Sequence, residues 1–127
     1  MQYSDKSETK EATRIAEASL LGSLLLNTDT TINDVKFIVS LDDFQYKDNR
    51  HYRIYQAMLK CEKTDEISVA LKLNETGLLQ GGDCAYLCHL VAECPTSLDW
   101  EIYAKAVHTY SLLINNKKEN AFKGVPL

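Results

Sequence analysis

A chain of 127 residues, 45% hydrophobic and 25% charged, has enough material for one globular domain that buries about two thirds of the surface its unfolded form exposes, with no need of a disulfide or metal. Fourteen basic against eighteen acidic residues, a formal net charge of −4, exclude the basic footprint of a domain that grips phosphates, so little or no direct DNA binding is expected. The longest apolar run, Leu20 to Leu26, is too short to cross a bilayer and follows Asp5, Glu8, Glu11 and Glu17, which excludes a membrane span and a signal peptide.

Proline occurs only at positions 95 and 126 and sustained alternation is missing, so the fold class expected is all-α, a bundle of about six helices. The first spans roughly Thr9 to Leu26, with Ile15, Ala18, Gly22 and Leu25 at inward spacing and Arg14 and Glu17 off that stripe. A short second helix covers Asn33 to Val39, capped by Thr31 or Asn33, with Val35, Ile38 and Val39 facing inward. The third, about Asp48 to Cys61, turns Tyr52, Tyr55, Met58 and Leu59 inward with Ile54 and Cys61 on its flank, and keeps Arg50, Arg53, Gln56 and Lys60 on its polar face. Thr64 or Asp65 caps a fourth helix through Leu73, and Gly77 suits a left-handed helix end. The fifth starts at Asp83, whose carboxylate is placed to accept free helix amides, and ends at Glu93 before Pro95. The sixth follows Thr96 or Ser97 and carries Trp100, Tyr103, Ala104, Val107 and Ser111 or Ile114 inward. Residues 1–8 read as a leader, 9–114 as the helical domain and 115–127 as a polar, flexible tail.

Chemistry is hard to find. No glycine-rich loop ends in Gly-Lys-Ser or Gly-Lys-Thr, and the aspartate after Gly81 and Gly82 would repel a phosphate, so no nucleotide hydrolysis is expected. Four cysteines without a secretory signal fit reduced thiols and a cytoplasmic location. Cys84, Cys88, His89 and Cys94 lie close together, and Cys84 with Cys88 at i, i+4 is a spacing that can hold one metal. There are no Cys-x-x-Cys knuckles and the helix turns His89 away from Cys84, so packed thiols are expected and no metal, with Cys84, Cys88 and Cys94 the only candidate ligands. His51, His89 and His108 lack a nucleophile partner and read as surface or boundary residues, while Tyr52, Tyr55, Tyr86, Trp100 and Tyr103 read as core. Glycine at position 22, inside a leucine-rich helix, marks a close helix approach.

The ordered segments "AEASLLGSLLLN", "DDF" with "HYRIYQAML", "DEISVALKLNETGLLQGGDCAYLCHLV" and "CPTSLDWEIYAKAV" carry more than any single residue. Together, from Ala16 to Ile114, they resemble the N-terminal domain of the bacterial or phage replicative DNA helicase family, DnaB. The resemblance rests on Leu21, Gly22 and Leu25, on Phe44 before His51, Ile54 and Tyr55, on Gly81, Gly82, Tyr86 and Leu87, and on Tyr103, Ala104 and Val107. It implies a compact orthogonal six-helix head without the complete C-terminal hairpin, and a non-catalytic role in the collar of a hexamer. It further implies partners: other copies of the chain as dimer or hexamer, primase and helicase loader. ATP and magnesium would belong to a separate motor domain, so no cofactor and no catalytic residue are expected here. Because the sequence turns polar after Ile114, an excised head or a natural short form with weakened self-association is expected. Two alternatives stay open, a free-standing phage or primase-type helicase-binding domain of similar fold and a small zinc or thiol protein.

Overall fold

The computed structural model describes residues 2–28, 31–46 and 48–123, with side chains over 8–28, 31–46 and 48–115. Six α-helices follow in order: α1 (Gln2–Leu26), α2 (Thr31–Val35), α3 (Arg50–Met58), α4 (Glu66–Glu75), α5 (Asp83–Glu93) and α6 (Trp100–Lys123). A 3-10 turn, Leu41–Asp43, sits between α2 and α3. No strand occurs among the described residues. The all-α expectation is met, and α5 has the expected bounds.

Helix α1 is the spine. It lies along α6 and packs against α5 and α3. Asn27 donates to the Ser97 carbonyl at 2.5 Å and Ser23 Oγ to that of Thr96 at 3.3 Å, so the end of α1 meets the start of α6 and the two run in opposite directions. Leu20, Leu21, Leu24, Ile54, Tyr55, Met58, Val69, Leu73, Leu87, Leu90, Ala104 and Val107 fill the middle. Burial of that leucine-rich set is the main driving force for the fold, at roughly 1.5–3 kcal/mol for each large side chain.

Local signals fix several helix ends. Asp65 accepts the Ser68 amide at 2.9 Å and caps α4. At the other end Gly77 has φ +74°, with Leu78 N–H donating to Leu73 and Gly77 N–H to Asn74. That pair of bonds is the Schellman arrangement, and it needs a residue tolerant of left-handed backbone.

Other ends differ from the sequence expectation. Helix α1 begins at Gln2 instead of near Thr9, because no glycine or proline interrupts residues 2–15 and Glu11 pairs with Arg14 at 2.6 Å along the surface. Helix α6 continues to Lys123 instead of yielding after Ile114; Lys117, Lys118, Glu119 and Ala121 are good helix formers, and the next glycine is Gly124. Both limits of the expected head domain therefore fall inside helices. Met1 of the leader and residues 124–127 of the tail lie outside the described residues. Helix α2 is shorter than expected and includes both proposed caps, Thr31 and Asn33, within the helix. Helix α3 begins two residues later and ends three earlier than expected, at Arg50 and Met58.

The inward stripe of α1 is also rotated from the expected one. Ile15 is 49% exposed, whereas Glu17 is fully buried beside Ala16, Leu20, Leu21 and Leu24. A carboxylate tolerates that position only when its charge is met by donors.

Candidate functional site

Helix α3 and the loop before it supply those donors. Glu17 on α1 accepts through Oε1 from His51 Nδ1 at 2.8 Å, and through Oε2 from the backbone amides of Gln45 at 2.7 Å and Tyr46 at 3.2 Å. His51 is the second residue of α3 and is 1% exposed. Its ring stacks between Tyr46 and Tyr86, with centroids 5.1 and 5.6 Å away. With the Glu17 carboxylate as acceptor, Nδ1 carries the hydrogen, and Nε2 of that tautomer accepts a hydrogen bond from the Tyr86 hydroxyl at 2.5 Å. Burial pushes the Tyr86 hydroxyl above its ordinary pKa, so it stays a donor at neutral pH. The result is a hydrogen-bonded relay, Glu17 to His51 to Tyr86, joining α1, α3 and α5.

A second polar knot adjoins it. Arg53, buried on α3, donates to Asp83 at 2.6 and 3.2 Å and to the Leu78 carbonyl at 2.9 Å. Arg50 donates to Asp83 at 3.1 Å and to the Gly81 carbonyl at 3.1 Å, and its guanidinium lies 5.1 Å from the Tyr86 ring centre. Burial works against the Asp83 carboxylate, but Arg53, the Gln80 amide and Arg50 outweigh it and hold its pKa below the usual carboxylate value. This arrangement corrects two expectations. Asp83 is not the cap of α5: it is the first helical residue, buried against arginine, and accepts the amide of the preceding Gln80 at 2.8 Å. Arg53 is not on a solvated face, since the negative charge of Asp83 draws it inward.

The capping position belongs to Gly82, whose φ of +86° and 3.3 Å clearance from Arg50 Nη2 at an added Cβ explain the glycine. A cleft of about 190 Å3 opens between α1 and α5 beside Tyr86, edged by Arg14, Ser19, His89, Glu93 and Pro95. Above it the helices touch at Gly22, where an added Cβ would stand 2.6 Å from the Leu90 carbonyl oxygen and 2.9 Å from Cys94 Cβ. The close approach expected at Gly22 is present.

The remaining singled-out residues fall into place around these features. Leu21, Leu25, Phe44, Ile54, Tyr55, Leu87, Ala104 and Val107 are core, and Phe44 packs on Tyr55 with centroids 4.5 Å apart. Tyr55 donates to the Val39 carbonyl at 2.8 Å. Tyr52, Tyr86, Trp100 and Tyr103 are half-buried, and Gly81 and Gly82 form the exposed turn before α5. His51, expected near the surface, is buried because Glu17 requires it; His89 is exposed. The packed-thiol expectation fails for Cys84 and Cys88, which are exposed on the outer side of α5, while Cys94 lies half-buried against Ser19 and Ser23. Among the described residues no three His, Cys, Asp or Glu side chains converge as metal ligands. Also among the described residues, no helix is long and apolar enough to cross a membrane.

The sequence reading missed Glu17 and Arg53. One signal was available: Glu17 precedes Leu21 and Leu24 by four and seven residues, so it shares their helical face.

Comparison with known proteins meets this geometry. The model of the family described as DnaB-like helicase N terminal domain matches residues 10–109. The crystal structure of the N-terminal domain of DnaB helicase from Mycobacterium tuberculosis superposes with a TM-score of 0.73 at 29% identity, covering 88% of this chain and 85% of that one. The replicative DNA helicase DnaC of Bacillus subtilis (strain 168) is 33% identical over 103 residues, 77% of this chain and 22% of the relative. The replicative DNA helicase DnaB of Leifsonia xyli subsp. xyli (strain CTCB07) is 35% identical over 104 residues, 78% of this chain and 22% of the relative. The chain thus spans about 22% of the length of the curated relatives it matches. Fold and sequence define a helical domain of the replicative-helicase class. The chain belongs to the DnaB-like helicase N-terminal domain family.

Proposed function

We propose that this domain is a non-catalytic interaction and oligomerisation module of a replicative DNA helicase, contributing to a hexamer collar and docking primase and helicase loader. The observation that carries the reading is the family match over residues 10–109. The outer face of α6 supports it. Ile102 and Leu113 are exposed about three turns apart, opposite the buried Ala104, Val107 and Ser111, with the exposed Leu112 on the flank. Apolar side chains lined up along one outer helix face are the material of a protein interface.

In this reading ATP and magnesium act in the motor domain of the parent helicase, and the acidic chain meets proteins rather than DNA or membrane in the cytoplasm. The buried relay serves as a brace that holds three helices in one geometry for a partner to grip. The test is a pull-down of the primase C-terminal region and of the loader, using the helicase chain that carries this domain and a version lacking it. Retention that depends on the domain, with no nucleoside triphosphate turnover by the isolated 127 residues, is the expected result. Equal retention without the domain contradicts the docking role, and turnover contradicts the non-catalytic one.

A further inference from the structure

Two thiols on α5 stand in solvent without a packing role. Cys84 and Cys88 are both exposed, although free cysteine is among the residues most often buried. Packing was the ground for expecting no metal at this pair, and exposure removes it. The other two cysteines are engaged elsewhere: Cys61 donates to the Ser68 carbonyl at 3.7 Å, and Cys94 lies against Ser19 and Ser23.

Helix geometry makes the exposed two neighbours. Side chains at i and i+4 have Cβ atoms about 5–6 Å apart, a gap that two sulfur–metal bonds of about 2.3 Å each can bridge. The Cys88 thiol donates to Glu66 on α4 at 3.2 Å. That hydrogen bond first, then the Glu66 charge, with Cys84 a smaller cause, holds the Cys88 pKa above the ordinary thiol value, so Cys84 lies close enough to act on Cys88. The number of ligands then selects the ion. Among the described residues no three His, Cys, Asp or Glu side chains converge as ligands, so nothing completes the four-coordinate shell of structural zinc. Calcium and magnesium require shells of oxygen. Two soft thiolates suffice for a soft d10 cation, which binds in line between two sulfurs.

We infer that Cys84 and Cys88 form a two-coordinate site for a soft monovalent cation of the copper(I) class. On binding, two S–H bonds break, each sulfur gives an electron pair to the ion and two protons leave, the Cys88 proton by way of Glu66; no oxidation state changes. The complex carries one net negative charge, and Cys84 lies in the first turn of α5, where the helix dipole favours negative charge. Copper(I), titrated under argon into the reduced 127-residue chain against the chelator bathocuproine disulfonate, tests the site. One ion per chain, with two sulfur neighbours in its X-ray absorption spectrum and two protons released, is the expected result. Cys84→Ser or Cys88→Ser alone should lower the affinity about a hundredfold, because a lone thiolate forfeits chelation, with circular dichroism unchanged. Cys61→Ser and Cys94→Ser should leave the affinity as it was. No retention against the chelator overturns the site, and so does a chain in which each serine variant of the pair still holds copper(I) at full affinity. A copper-bridged dimer in sedimentation overturns it as well, since the two sulfurs would then come from separate chains.

Discussion

Helix α1 meets its neighbours in two different ways. Its seam with α6 lies in the apolar core, to which α1 contributes Leu20 and Leu24 and α6 contributes Ala104 and Val107. Its seam with α3 and α5 holds a carboxylate, an imidazole and a phenol in series. Apolar contacts are non-directional, so the first seam sets how much surface is buried and tolerates volume-conserving exchange. Buried polar contacts are pairwise, and losing one member leaves the other in a medium that cannot solvate it. The apolar seam makes the bundle stable; the polar seam decides which helix faces which.

Substitutions can break that contrast in graded steps. Glu17→Ala should do most damage, about 3–5 kcal/mol, because His51 and two backbone amides lose their acceptor inside the core. Urea denaturation measures it, and a loss below 1 kcal/mol would mean that the pocket admits water. Asp83→Asn should cost about 1.5–3 kcal/mol by removing the charge from two arginine contacts. Since the folded Asp83 pKa is lowered, its contribution is complete above the unfolded carboxylate value near 4 and is lost as pH falls through the folded value. Acid titration of stability should therefore be steep below about pH 4 and shallower in the Asn variant; parallel curves would remove Asp83 from that role.

Gly22→Leu should cost about 1–3 kcal/mol, since the obstacle is a backbone carbonyl of α5 that cannot rotate away. An unchanged melting temperature would show that α1 and α5 can separate there without penalty. Cys84→Ser and Cys88→Ser should change stability by less than about 0.5 kcal/mol, as expected of exposed positions. Thermal melts of the two serine variants check this, and a loss of several degrees would assign the thiols a packing role that their exposure denies.

The apolar half of this molecule could be read from its sequence. Asp65, Gly77 and Pro95 mark helix limits that the structure keeps, and of the stripe expected on α1 Gly22 and Leu25 face inward. The polar half was far less legible. Periodicity assigns every charge to the outside, so Glu17 and Arg53 were placed on solvated faces, although each is buried by a partner far away in sequence, His51 and Asp83 respectively. The family resemblance singled out His51 and Tyr86 but gave no reason for their chemistry; the 2.8 and 2.5 Å contacts supply one. The true helix ends escaped because α1 and α6 continue through polar residues that carry no apolar period and meet no glycine or proline.

A double-mutant cycle on Glu17→Gln and His51→Gln tests the pairing that organises the polar seam. The account predicts strong non-additivity: once either partner is gone, removing the other should cost much less, with a coupling of about 1–3 kcal/mol. Losses that simply add would mean that the two residues act independently and that the brace between α1 and α3 does not exist.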